Sequence, residues 1–167
     1  MSAYLFQAPN GVPGDITRTD ESNVEPAMLK AASGVFAQAF GIPMKYVAGG
    51  IQQFSGGEVA ADFAGVLVRE VPGISGSLAQ GLTDNVPYSA VPQGLMVRGY
   101  MSVVCTIGTP VRGGIVYVRV VAASGKAIGD FEATADGVNN IALSATQAEW
   151  ATDGKDAFNN AELRVYR

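Results

Sequence analysis

The sequence predicts an all-β protein: a β-barrel or β-sandwich body, jelly-roll-like, with an extended N-terminal arm and at most one short helix. Three observations carry that prediction. From Gly41 onward, short runs of β-branched and aromatic residues recur between turn signals, as in a sandwich or barrel. In the longest runs apolar and polar residues alternate with a period of two, as a half-buried strand requires. Glycine supplies 21 of 167 residues, and charged residues only 16%, against about 25% in ordinary domains. Many tight turns follow, together with a surface partly covered by something else.

Residues 1–25 read as the arm and 26–167 as the body. Pro9-Asn10-Gly11 and Pro13-Gly14 are turn signals, Arg18 to Glu25 is mostly polar, and Tyr4, Leu5, Phe6, Val12 and Ile16 are scattered among them at no regular spacing. Such a segment has little core of its own to join and is frayed or laid against a neighbour. Pro26 and Gly34 bracket a short helix or turn over 26–33. Pro43 to Val47, Ile51 to Phe54 and Phe63 to Arg69 are the next strands, each closed by glycine or proline. Residues 72–92 form the longest irregular stretch, and long loops in compact domains are usually functional or disordered.

Gly94 to Thr106 carries the strongest β signal. Leu95, Val97, Met101, Val103 and Cys105 share one parity, and Arg98, Tyr100, Ser102 and Thr106 the other. Ile115 to Val121 repeats the pattern, with Val116, Val118 and Val120 inward and Tyr117 and Arg119 outward. Ala127 to Ala133 and Ile141 to Leu143 are shorter candidates, and Ala161 to Tyr166 is a closing strand.

Composition excludes several functions. A net charge of −4 with scattered basic residues offers no footprint for nucleic acid, which needs clustered Lys and Arg. Membrane surfaces match equally poorly. No segment approaches the apolar length of a membrane span, and Met1 to Gln7 lacks the pattern of a signal peptide, so the cytoplasm is the expected site of synthesis and assembly. The absence of histidine removes the commonest general base and the usual catalytic triads. The lone Cys105 forms no intrachain disulfide, makes no zinc site, and reads as a small buried hydrophobe.

What remains is weak. Asp15, Asp20, Glu21, Glu25, Glu58, Asp62, Glu70, Asp130, Glu132, Asp153 and Asp156 fall mostly in polar turns or on outward strand positions, whereas acid–base work needs two that converge. Asp153-Gly154-Lys155-Asp156 lacks the ligand alternation of a calcium loop. The glycine clusters follow neither dinucleotide nor phosphate-loop spacing. The basic and aromatic interleaving in Tyr117-Val118-Arg119 and Arg164-Val165-Tyr166-Arg167 reads as exposed strand face. No catalytic residue, metal site or cofactor is expected.

Several stretches, in order, resemble the structural cement, or capsid decoration, proteins of tailed bacteriophages. They are Gly14-Asp15-Ile16-Thr17-Arg18, Glu25-Pro26, Phe40-Gly41-Ile42-Pro43-Met44-Lys45, Phe63 to Arg69, Gly94 to Met101, Gly113 to Arg119 and Ala161 to Tyr166. The resemblance covers about four fifths of the chain, with residues 72–92 least matched. It implies a non-enzymatic protein of the virion, on the outer surface of the head, binding across joints between major capsid subunits and stabilising the shell. It also implies homodimers or homotrimers at symmetry axes. On this reading the arm lies along a neighbouring subunit, with Tyr4, Leu5, Phe6, Val12 and Ile16 as apolar anchors and Arg18 as a polar clamp. The alternative is a receptor- or glycan-binding β-module of a virion, whose recognition loop would present Ile74, Leu78 and Tyr88. A hydrolase built on carboxylates is a third reading.

Overall fold

The computed structural model describes residues 11–69, 87, 90–123 and 125–167. Among these the protein is all-β. Its strands are β1 (Ile16–Lys30), β2 (Pro43–Val47), β3 (Gly50–Gln53), β4 (Gly65–Leu67), β5 (Pro92–Ile107), β6 (Tyr117–Arg119), β7 (Phe131–Glu132), β8 (Asn140–Ala142), β9 (Ala148–Trp150) and β10 (Asn160–Tyr166). The only helical turn among the described residues is a 3₁₀ turn at Ala60–Asp62.

Two closed circuits of strand pairing share β5. In the first, β1 pairs with β3, β3 with β2, β2 with β4, β4 with β5, and β5 with β1 again. Closure leaves this small barrel without free edges. Its interior holds Leu29, Ala37, Phe40, Met44, Ile51, Ala64, Leu67, Leu95 and Val97. The second circuit runs from β5 through β7 and β6 to β9 and β10 and back to β5, with an Ile115–Glu149 bridge joining the β6 segment to β9. Val103, Cys105, Val116, Val118, Phe131, Trp150 and Leu163 are among the residues of its core. β4 lies between the cores and is apolar on both faces, because Leu67 enters the first and Val66 the second.

The helix expected over 26–33 is absent, and the segment continues β1. Pro26, Ala27 and Met28 lie opposite Gly94, Gln93 and Pro92 of β5, so β5 supplies the pairing a helix would have provided internally. The strand then reverses at Ser33-Gly34, both at positive φ (49° and 84°), with Ala32 and Val35 exchanging backbone hydrogen bonds of 2.7 and 2.9 Å. Positive φ at both central residues is the two-residue hairpin geometry.

The alternation along β5 is real, but it feeds two cores. Leu95 and Val97 fill the first, Met101, Val103 and Cys105 the second, and Met96, of opposite parity, also joins the second. The switch falls at Gly99, which has φ of 129°. Opposite it β1 bulges, since Arg18 faces Tyr100 while Asn23 faces Arg98. A bulge bends the strand pair and increases its twist. A Cβ at Gly99 would lie 2.9 Å from Ser22 Cα, so the bulge and the glycine require each other.

Arg119 and Glu132, expected on outward faces, are fully buried. Arg119 Nε and Nη2 donate to the two Glu132 oxygens at 2.6 and 3.1 Å, and Nη2 also donates to Asp136 Oδ2 at 2.6 Å. Asn140 Nδ2 donates to Glu132 at 2.6 Å, and Lys126 Nζ to Asp136 at 3.3 Å. β6 and β7 lie side by side with Tyr117 opposite Glu132, and β8 brings Asn140 opposite Arg119. The network therefore ties three strands together, and its charges are matched within the chain. Glu58 and Glu162 are also buried, each beside a cation.

Two consequences are measurable by urea unfolding. Arg119→Met leaves the buried Glu132 carboxylate without its cation and should cost about 3–5 kcal/mol. Gly99→Ala forces a left-handed alanine against backbone and should cost about 1–3 kcal/mol. An unchanged midpoint for either variant would contradict the role given to that residue.

Candidate contact surfaces

The N-terminal segment is strapped to its own body. Gly14 donates to Ser102 O at 2.8 Å, Ser102 N donates to Asp15 O at 3.0 Å, and Arg69 N donates to Gly14 O at 2.8 Å. Asn160 Nδ2 donates to Gly11 O at 3.0 Å. Gly14 is required here: its φ is 90°, and a Cβ would lie 2.6 Å from Phe40 Cβ. The strap explains why Ser102, on the expected outward parity, is buried.

The predicted arm residues divide. Ile16 packs against the second core. Arg18 grips Glu162 with both Nε (3.1 Å) and Nη2 (2.6 Å), and Thr17 Oγ1 donates to the same carboxylate at 2.6 Å. These two side chains hold the strap to the chain's own β10. Val12 is exposed. Tyr4, Leu5 and Phe6, and the loop residues Ile74, Leu78 and Tyr88, lie outside the described residues.

Beyond the strap, β1, β5, β10 and β9 present one polar sheet face. Residues directly opposite across paired strands share a face. Arg164 of β10 lies opposite Tyr100 of β5 and Glu149 of β9, and Tyr166 lies opposite Arg98. Arg18 sits 4.0 Å over the Tyr100 ring and Arg164 5.0 Å from it, with Arg164 also 4.6 Å from the Tyr166 ring. Arg164 pairs with Glu21 at 3.4 Å and Glu149 at 3.8 Å, and Tyr166 Oη donates to Glu149. Of the two basic–aromatic motifs in the sequence, Arg164 to Arg167 thus forms a stacked surface, whereas Arg119 is internal.

Among the described residues the buried acids Glu58, Glu132 and Glu162 each sit against a cation, while burial raises the Asp130 carboxyl. Asp136 is held below the usual carboxylate range by hydrogen bonds from Arg119 and Lys126, the reverse of what a general acid needs. Burial pushes the Cys105 thiol up, keeping it protonated and unreactive at neutral pH. Among the described residues there is no cluster of three or more potential metal ligands. No helix of the described chain is long and apolar enough to cross a membrane. β9 was missed from the sequence, and with it Glu149 and the buried Trp150. The signal was present, since Ala148 and Trp150 flank Glu149 at a spacing of two.

The described residues thus form an all-β body whose buried acids are each paired with a cation of the same chain and whose N-terminal segment is strapped to its own sheet. A chain from the solved structure "The capsid of Myoviridae Phage XM1" has the same fold, with a TM-score of 0.64 at 16% identity, covering 98% of this chain and 95% of that one. The sequence matches the XM1 gp53 minor capsid protein family over residues 1–165, and the chain belongs to that family. It is therefore a capsid-associated structural protein of a bacteriophage virion. No curated protein matches it.

Glu58 gives the fold a defined acid sensitivity. Burial alone would raise its carboxyl, but Lys45 Nζ at 2.6 Å and the Ser55 and Gly56 amides, both at 2.8 Å, outweigh that and hold it at about 2. Its ordinary value is 4.5, so the folded state gains stability above that value and loses it as pH falls toward 2. Between about pH 5 and pH 2 the wild type should lose about 2–3 kcal/mol more than Glu58→Gln. Urea titrations across that range check this, and parallel losses would refute it.

Proposed function

We propose that this chain is a cement, or decoration, component of the phage head. It binds the outer surface across joints between major capsid subunits, as a homodimer or homotrimer at symmetry axes, and stabilises the shell without catalysing a reaction. Assembly takes place in the host cytoplasm. Residues 1–25 act as the arm and 26–167 as the body. Ile16 and Arg18 fasten the arm to the body, while exposed Val12 and the preceding Tyr4, Leu5 and Phe6 engage a neighbouring subunit.

The observation carrying this proposal is the family match across residues 1–165. Chemistry supports it: the buried acids Glu58, Glu132 and Glu162 each sit against a cation of the same chain, which suits a rigid adhesive body better than a reactive cleft. Modest contacts repeated over many sites on a shell add up by multivalency, with no deep pocket needed.

Heads assembled with and without the chain test this proposal. The full-length chain should cosediment with heads in fixed proportion to the major capsid protein, and heads lacking it should release DNA at a lower temperature. A chain lacking residues 1–10 should be lost from heads earlier on heating. Recovery in only a few copies per particle, with heat stability unchanged, would instead favour a receptor- or glycan-binding module.

A further inference from the structure

Phe158 is the most exposed aromatic side chain among the described residues, at 75%. Its turn is nevertheless tightly held. Asp156 Oδ1 accepts from the Phe158 and Asn160 amides, both at 2.8 Å, and Asp156 O accepts from Asn159 N at 3.0 Å. An ordered turn thus presents a phenyl ring to solvent. The N-terminal segment joins the body at the same turn: Asn160 Nδ2, two residues on from Phe158, donates to Gly11 O at 3.0 Å. Val12, exposed at 41%, follows Gly11 on a second ordered turn, closed by Asp15 N donating to Val12 O at 3.0 Å. Two fixed apolar side chains therefore flank the point where the described body begins.

We propose that in the free chain the segment Tyr4-Leu5-Phe6 folds back onto Phe158 and Val12 of the same chain, and that this closed arm opens when it engages a capsid neighbour. The proposal rests on the reading of residues 1–25 as a capsid-binding arm and supplies the state of that arm before binding. Chain length and attachment select this occupant. Phe6 lies five residues before Gly11, which spans about 17 Å when extended, so the whole apolar triplet reaches a patch beside Gly11. Returning to that patch requires a reversal near the attachment point. Pro9-Asn10-Gly11 is a turn signal, and Gly11 has φ of 87°, the left-handed conformation such a reversal uses. Residues 1–10 contain no Asp, Glu, Lys or Arg, so closure strips water from no charged side chain. Aromatic rings of Tyr4 or Phe6 against Phe158 would add to the burial. A short tether holds the segment near the patch at an effective concentration in the millimolar range, which a second copy in dilute solution does not match.

Chymotrypsin, which cleaves after tyrosine, phenylalanine and leucine, reads the closed arm directly in the absence of heads. Cleavage at Tyr4, Leu5 and Phe6 of the free full-length chain is followed by mass and compared with a synthetic peptide of residues 1–10. Proteolysis follows the population of the open form. Burying one aromatic side chain should therefore slow cleavage in the wild type about tenfold or more relative to the peptide. Phe158→Ser should remove most of that protection. Val138→Ser makes a comparable change at an exposed site before β8, three steps from β5 in the pairing order, and should stay protected. Protection should not vary with chain concentration. Peptide-like cleavage of the wild type, full protection in Phe158→Ser, or equal loss in both variants would overturn the proposal. Protection that grows with concentration would make a second copy the occupant and overturn it too. None of these outcomes bears on capsid binding, whose failure shows separately as wild type that does not cosediment with heads.

Discussion

Everything in this fold hangs on one strand that belongs to two cores. β5 spans Pro92–Ile107; its first half closes the small barrel with β1 and β4, and its second half carries β10 and β7. A continuous backbone can serve both only if its faces are redirected partway along. Gly99 and the β1 bulge opposite it accomplish this, because a glycine at φ of 129° leaves room that any Cβ would fill. The halves are thus joined by strand continuity, and unpairing β5 exposes both cores together.

Charge follows the same economy. The chain has few ionised groups, and its buried ones are used as fasteners. Arg119 binds Glu132 and Asp136 across β6 and β7, and Lys45 binds Glu58 at the turn after β3. Arg18 binds Glu162 and fixes the strap. A buried pair of this kind contributes little net stability compared with apolar packing, but losing one partner is costly. Where these pairs sit therefore says more about which segments must stay together than about how stable the protein is. They tie down the loops and the strap, the parts that strand pairing alone holds least.

The strap also redefines the arm. Its polar, turn-rich sequence is what a segment without a core of its own would show, and β1 is indeed largely exposed over its first half. Yet backbone pairing with β5 and the Arg18–Glu162 contact hold residues 14–18 in place. Pairing of this sort needs few apolar side chains, because its partners are main-chain groups of another strand.

By itself the sequence determined the class of fold and most strand positions, because period-two alternation and glycine or proline punctuation are local consequences of backbone geometry. It also determined the absence of histidine-based chemistry and carried the resemblance that the family match bears out. Tertiary structure alone decided which alternating residues share a core, since the split at Gly99 depends on a bulge in a strand about eighty residues earlier. It alone showed that Arg119 and Glu132 are buried against each other and that the strap covers Glu162. A charged side chain reads as solvent-facing until its counter-ion is located, and here Arg119 meets its partner 13 residues away and Arg18 meets Glu162 across 144. The same reason separates the two basic–aromatic motifs: only the neighbouring strands determine whether an arginine stacks on the surface or is buried beneath it.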